Sequence, residues 1–292
     1  MQNGLKSGDA IRDWNNGLVI EDSVGNQFVW VPSTTDGADG TVKFQRDLNW
    51  ANYQVQPGGG LFSADDNLPS GVTTEIDQIT RFGGFYLARF QSGIPSALNA
   101  ALTTANSMYR NVAGTPAVKA GMVPWNYIDY TNAKNNAMNM GINLGYDANS
   151  VRTGLVTGTQ WDVTMKWLQN AGINVTTDVT GWGNYFTAPV TEITQYSTDG
   201  GAYWNTVAST TKATNMGWLL RSGHTDFTRR NNIYDLAGNT WEWTSEKNTS
   251  GYYMQRGGAY ASGQSYSAYA RRGEAQLTTS THMGFRIVLF VK

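Results

Sequence analysis

Residues 232–243 run Asn232-Ile233-Tyr234-Asp235-Leu236-Ala237-Gly238-Asn239-Thr240-Trp241-Glu242-Trp243, a carboxylate, a Gly-Asn turn and a second carboxylate in close succession. Asp235 and Glu242, with the carbonyls such a turn exposes, make an all-oxygen set of the kind a hard cation such as Ca²⁺ prefers. In the plainer alternative, Asp235 caps the turn and Glu242 bonds to backbone. At strand spacing Trp241 and Trp243 point the same way, and both are assigned to the core rather than to a sugar-stacking platform.

Upstream, Leu18-Val19-Ile20 and Phe28-Val29-Trp30-Val31 flank a turn-rich stretch, which predicts a hairpin closed near Gly25-Asn26 and ended by Pro32. Residues 33–80 are rich in Gly, Asp, Asn and Ser and read as a long loop region, with short strands near Val42-Lys43-Phe44. Phe82 to Phe90 reads as a buried strand. Ala133, Ala137 and Met140 share a face of a helix over Thr131–Met140, capped by Asp129 or Thr131. Trp161, Met165 and Leu168 share a face of a second helix over Thr157–Leu168, capped by Thr157 or Thr159 and ended by Ala171-Gly172. Beyond Val175, strands are expected at Trp218-Leu219-Leu220, Trp241-Glu242-Trp243 and Phe285 to Leu289. Residues 1–17 are expected to be a lead-in and 18–292 one α+β domain.

The residue inventory narrows the chemistry. The 292-residue chain contains no cysteine and two histidines, His224 and His282, so a disulfide framework, a thiolate nucleophile and a Cys-ligated metal are all ruled out. His224 with Asp226 is too generic a pair to assign catalysis. Only 15% of residues are charged, against about 25% typically, so Asn, Gln, Ser, Thr, Gly and Tyr must furnish the surface. The net charge of −1 offers no electrostatic footprint for nucleic acid. No eighteen-residue apolar run supports membrane insertion, and no basic stretch followed by an apolar run marks a leader.

The segment Asp235-x-x-Gly238-Asn239-x-Trp241-Glu242-Trp243 resembles the signature of the formylglycine-generating enzyme (sulfatase-modifying factor) family. That family has a variant of the C-type lectin fold. Further landmarks follow in the family's order. Phe85-Tyr86-Leu87-Ala88-Arg89-Phe90 is similar to its early Phe-Tyr-Ile-Gly strand, and Pro124-Trp125-Asn126 precedes a helix as its Val-x-Trp does. Leu155-Val156-Thr157-Gly158-Thr159-Gln160-Trp161-Asp162 is similar to its Leu-Pro-Thr-Glu-Ala-Glu-Trp-Glu. Arg256-Gly257-Gly258-Ala259-Tyr260 and Gly284-Phe285-Arg286-Ile287-Val288 resemble its last two motifs. The resemblance implies a calcium site at Asp235, the Gly238 and Thr240 carbonyls and Glu242. The copper-binding cysteine pair of the family's oxidase has no counterpart here, nor has the histidine triad of the related iron oxygenases.

Between those last two motifs the chain interleaves Tyr, Ser, Gly, Ala and Arg, the composition of an adaptable aromatic binding surface. Tyr260, Ser262, Gln264, Tyr266, Tyr269, Arg271 and Arg272 are its candidate ligand contacts, with Trp204, Tyr252 and Tyr253 as possible extensions. Arg256 and Arg286 are expected beneath it, bonding buried carbonyls. The layout resembles that of retroelement-diversified variable proteins such as phage tropism determinants. The resemblance therefore implies a non-enzymatic binder of a protein or glycan on a cell surface, displayed by a virion or a bacterium, with no required cofactor beyond a structural calcium. An enzyme of untypical chemistry is the alternative, and a structural virion subunit a third option.

Overall fold

Asp22 closes the first hairpin: its carboxylate accepts the backbone N–H of Val24 and of Asn26, the latter at 2.7 Å, and joins Val19–Glu21 to Gln27–Pro32 in antiparallel register. The computed structural model describes residues 16–46, 54–55, 62–65, 75–103, 110–176, 179, 181–263 and 265–292. The hairpin begins a five-stranded antiparallel sheet ordered Val19–Glu21, Gln27–Pro32, Gly84–Ala88, Ile287–Val291, Val151–Leu155.

Alternation along these strands feeds two cores, because successive side chains leave a strand on opposite faces. Ile287 and Leu289 pack with Ala133, Ala137 and Met140 of the helix Tyr130–Asn143. Val288 and Phe290 pack with Trp161, Met165 and Leu168 of the helix Gly158–Asn170. Both helix starts follow from their first residues. Asp129 accepts the Asn132 N–H, and Thr157 forms a reciprocal capping box with Gln160. Each helix extends beyond its expected end, to Asn143 and Asn170.

The second sheet is mixed and runs Met283–Phe285, Trp241–Asn248, Tyr253–Arg256, Arg271–Glu274, Gln54–Val55, with Phe62–Asp65 pairing the far end of Trp241–Asn248. The expected strand from Phe285 to Leu289 is two strands, interrupted at Arg286, where the chain passes from one sheet to the other. That crossing puts the Arg286 side chain between the sheets.

Four further expectations need correction. The strand read from Phe82 to Phe90 spans only Gly84–Ala88, and Phe82 is the exposed last residue of a preceding helix. The loop read over 33–80 contains the start of a helix, Glu75–Phe82, whose buried face carries Gln78 and Ile79. Val42-Lys43-Phe44 forms one bridge to Thr34 rather than a strand. Trp218-Leu219-Leu220 is likewise a bridge, Leu219 to Ser197, alongside the hairpin of Val190–Tyr196 and Asn205–Lys212. Residues 1–15 of the expected lead-in lie outside the described residues.

Candidate functional site

The turn after Tyr234 is wound by left-handed residues: φ is 59° at Asp235, 78° at Gly238 and 62° at Asn239. Gly238 is obligatory, since a Cβ there would sit 2.2 Å from the Asn184 carbonyl oxygen. This winding points three carbonyls at a single point, together with one Glu242 oxygen. The Gln91 amide occupies that point. Its Nε2 donates toward the carbonyls of Asp235 (3.2 Å), Gly238 (3.5 Å) and Thr240 (3.2 Å), and to Glu242 Oε1 (2.9 Å).

Arg286 closes the other side of Glu242. Its Nε donates to Oε2 at 2.7 Å and its Nη2 to Oε1 at 2.6 Å, while the remaining N–H groups reach the Ala88 and Tyr234 carbonyls. Such a bidentate pair holds the carboxylate in one orientation. Arg286 is thus beneath the surface and on buried carbonyls as expected, with Glu242 as an additional partner. Trp241 and Trp243 are both buried in cores.

The four implied calcium ligands are brought together, but they do not fit the ion. Ca²⁺ takes six to eight oxygens at roughly 2.3–2.6 Å and is favoured by carboxylate charge. Here an amide N–H₂ stands at the focus, and the charge of Glu242 is already balanced by Arg286. Asp235 offers its carbonyl; its carboxylate is turned away to the Thr228 hydroxyl (2.7 Å) and the Gly223 N–H (2.7 Å). Burial pushes the Asp235 carboxyl up to about 6 despite these two donors. Among the described residues, no group of three or more His, Cys, Asp or Glu is placed to hold a metal ion.

A second ionic cluster lies under the expected binding segment. Glu246 accepts from Arg46 (2.7 Å), Arg256 (3.0 Å) and Arg271, and Asp162 pairs with Arg46 (3.2 Å) and Arg256 (2.7 Å). The three guanidinium groups hold the Glu246 carboxyl below the usual range against the opposing effect of its burial. Arg271 is therefore an interior residue, not a ligand contact. Tyr269 is also interior, fully buried beside the Arg256 guanidinium. The strand Arg271–Glu274 alternates from this point, so Arg271 faces inward while Arg272 is half-exposed and pairs with Glu274 at 3.2 Å.

The outer surface is made by other members of the segment. Ser262 and Tyr266 are half-exposed, and Tyr266 tilts over the buried Trp241 with ring centroids 5.8 Å apart. Tyr260 is only 5% exposed: its amide is tied to the Asn239 carbonyl at 3.0 Å, and desolvation raises its hydroxyl pKa. Gln264 lies outside the described residues. Of the suggested extensions, Tyr253 is core, stacked on Tyr130 at 3.6 Å, whereas Trp204 and Tyr252 are half-buried.

Sequence reasoning missed two residues of this surface, Phe186 and Met216, which are 37% and 38% exposed. The Phe186 N–H donates to the Ser262 carbonyl at 2.9 Å, and a Cβ at Gly217 would lie 3.7 Å from the Phe186 ring and 3.8 Å from the Tyr260 ring. Each stands among other apolar and aromatic residues, Phe186 after Trp182 and Tyr185 and Met216 before Trp218-Leu219-Leu220, so neither was marked out as a surface residue. His224 and Asp226 are each engaged elsewhere. His224 Nε2 accepts the Thr194 N–H at 3.0 Å, and Asp226 takes the Tyr234 hydroxyl at 2.5 Å and Arg229 at 3.1 Å.

Comparison with known proteins adds three kinds of finding. Residues 102–290 match the sulfatase-modifying factor enzyme 1-like domain. No curated protein matches the chain. Among solved structures, PvdO from Pseudomonas aeruginosa is similar at 14% identity and a TM-score of 0.48, covering 94% of this chain and 98% of that one. CarF is similar at 14% identity and 0.38, covering 71% and 86%, and Treponema denticola variable protein 1 at 13% and 0.37, covering 80% and 99%.

Proposed function

The chain belongs to the sulfatase-modifying factor enzyme 1-like family, and we propose that it is a member that binds a ligand rather than one that oxidises a substrate. The ligand we propose is a protein or glycan on a cell surface. Its contacts are Ser262 and Tyr266, next to Phe186, with Arg272 as a further half-exposed candidate on the neighbouring strand. Copper chemistry of the family's kind needs sulfur ligands, and the chain has no cysteine.

One observation carries this reading. The segment between the Arg256-Gly257-Gly258 and Gly284-Phe285-Arg286 motifs is anchored from below by Tyr269 and Arg271, while Ser262 and Tyr266 stand at the surface next to Phe186. Rigid aromatic and small hydroxyl side chains on a fixed base suit recognition, since little side-chain freedom is lost on binding. Diversification of this segment by a retroelement is part of the proposal, and a near-identical template repeat beside a reverse transcriptase gene would support it.

The test uses the whole chain on a glycan array and on intact bacterial cells, beside a Ser262→Arg/Tyr266→Ala variant. Saturable binding by the parent and its loss in a variant that still unfolds cooperatively is the expected result. Equal binding by both proteins, or turnover of a thiol substrate by copper-loaded protein, would overturn the reading.

A further inference from the structure

We propose that the Gln91 side chain takes the place of a cation at the 235–242 turn, so that this part of the scaffold is closed without calcium. The amide has the right polarity at both ends. Its N–H₂ faces only acceptors, the three carbonyls and Glu242 Oε1. Its Oε1 faces a donor, the Asn239 Nδ2 at 2.8 Å. Turning the amide over would set oxygen against four oxygens and N–H₂ against N–H₂, so the orientation is fixed by chemistry.

Asn239 is itself locked. Its Oδ1 accepts from Asn184 Nδ2 (3.0 Å) and the Leu220 N–H (2.9 Å), and its Nδ2 also donates to the Leu220 carbonyl (3.1 Å). Gln91 is buried and lies in the crossing segment whose neighbours Arg89 and Ser92 bond to the Gln27 and Phe285 carbonyls. The donor therefore reaches the turn from a segment anchored to both sheets. A carbonyl cluster that converges on empty space would repel itself and leave buried acceptors unpaired. The amide relieves this with partial positive charge, and Arg286 supplies the full charge that Glu242 requires.

A dication would have to displace the amide and would then face a carboxylate already paired with Arg286. The inference does not depend on the proposed ligand, and its test involves none.

The parent and Gln91→Ala are melted in chelator and in millimolar calcium, with terbium luminescence, sensitised by the neighbouring Trp241 and Trp243, as a second readout. The parent is expected to show the same Tm in both and no terbium signal. Gln91→Ala is expected to melt lower by roughly 5 °C or more in chelator. Because Arg286 still neutralises Glu242 and the Asp235 carboxylate still points away, the variant should stay equally low in calcium and give no terbium signal. A parent Tm that rises with calcium would overturn the proposal. So would an alanine variant as stable as the parent, or one that calcium restores to the parent's Tm. If the alanine variant does not fold, the parent's response to calcium alone still decides against the proposal or for it.

Discussion

In the turn from Asp235 to Glu242, the carbonyls and the Glu242 carboxylate converge on Gln91 and Arg286. In the loop from Ala259 to Ala270, by contrast, only the two ends are buried, and Ser262 and Tyr266 between them remain at the surface. The two regions are joined by short bonds, among them the Tyr260 N–H to the Asn239 carbonyl at 3.0 Å. Both are made of small and polar residues. What separates them is where their partners come from. The turn is answered by side chains roughly 45 to 150 positions away, which no ligand need replace, whereas the exposed part of the loop has solvent as its partner. The proposed ligand face belongs to the second kind of region.

The comparison is broken most severely at Glu246, which holds Arg46, Arg256 and Arg271 beneath the loop. Glu246→Gln leaves these guanidinium groups without their shared charge, and a loss of about 3–5 kcal/mol is expected from urea unfolding. A loss no larger than that of a surface substitution would mean that the loop does not rest on this cluster.

Asp235 sharpens the other side. Its carboxyl is raised by burial from the ordinary value of 3.8 to about 6, so the folded state holds its proton more tightly than the unfolded state. Its contribution to stability is therefore full below pH 3.8 and is lost as pH rises through about 6. Asp235→Asn should lack this change, so the stability difference between variant and parent should vary by about 3 kcal/mol between acid and neutral pH. Glu246, held low by arginines, acts in the opposite direction, so the comparison must be made between the two proteins across pH. A constant difference would show that Asp235 does not titrate in this range.

The smallest effect belongs to the loop surface. Ser262→Ala should change stability by less than about 0.5 kcal/mol in the same urea experiment, because the bond that ties it to Phe186 uses its backbone carbonyl.

The α+β architecture was legible where periodicity and turn chemistry were strong. Ala133, Ala137, Met140, Trp161, Met165 and Leu168 are all buried, Asp129 and Thr157 are the helix caps, and the first hairpin closes as expected. The short helices Glu75–Phe82 and Ser96–Thr103 and the Thr-rich hairpin of Val190–Tyr196 with Asn205–Lys212 were missed, because their faces toward the core are only a few residues wide. The convergence of Asp235, Gly238, Thr240 and Glu242 was legible as well, but not what they converge on. Gln91 lies far away in sequence, and nothing local distinguishes a buried donor from a surface glutamine. The division of the Tyr-rich segment was hidden for a related reason. Tyr266 and Tyr269 look alike as neighbours in a loop, and only the Arg271 pairing to Glu246 reveals which way the chain turns.

That division is also where a single paired measurement is most direct: Tm and cell-surface or glycan binding of Tyr266→Ala beside Tyr269→Ala. Removing the buried ring should lower stability by about 3–5 kcal/mol, whereas removing the half-exposed one, which covers Trp241 from one side, should abolish binding with a clearly smaller loss of stability. If Tyr266→Ala bound its target like the parent, recognition would have to reside elsewhere on the molecule.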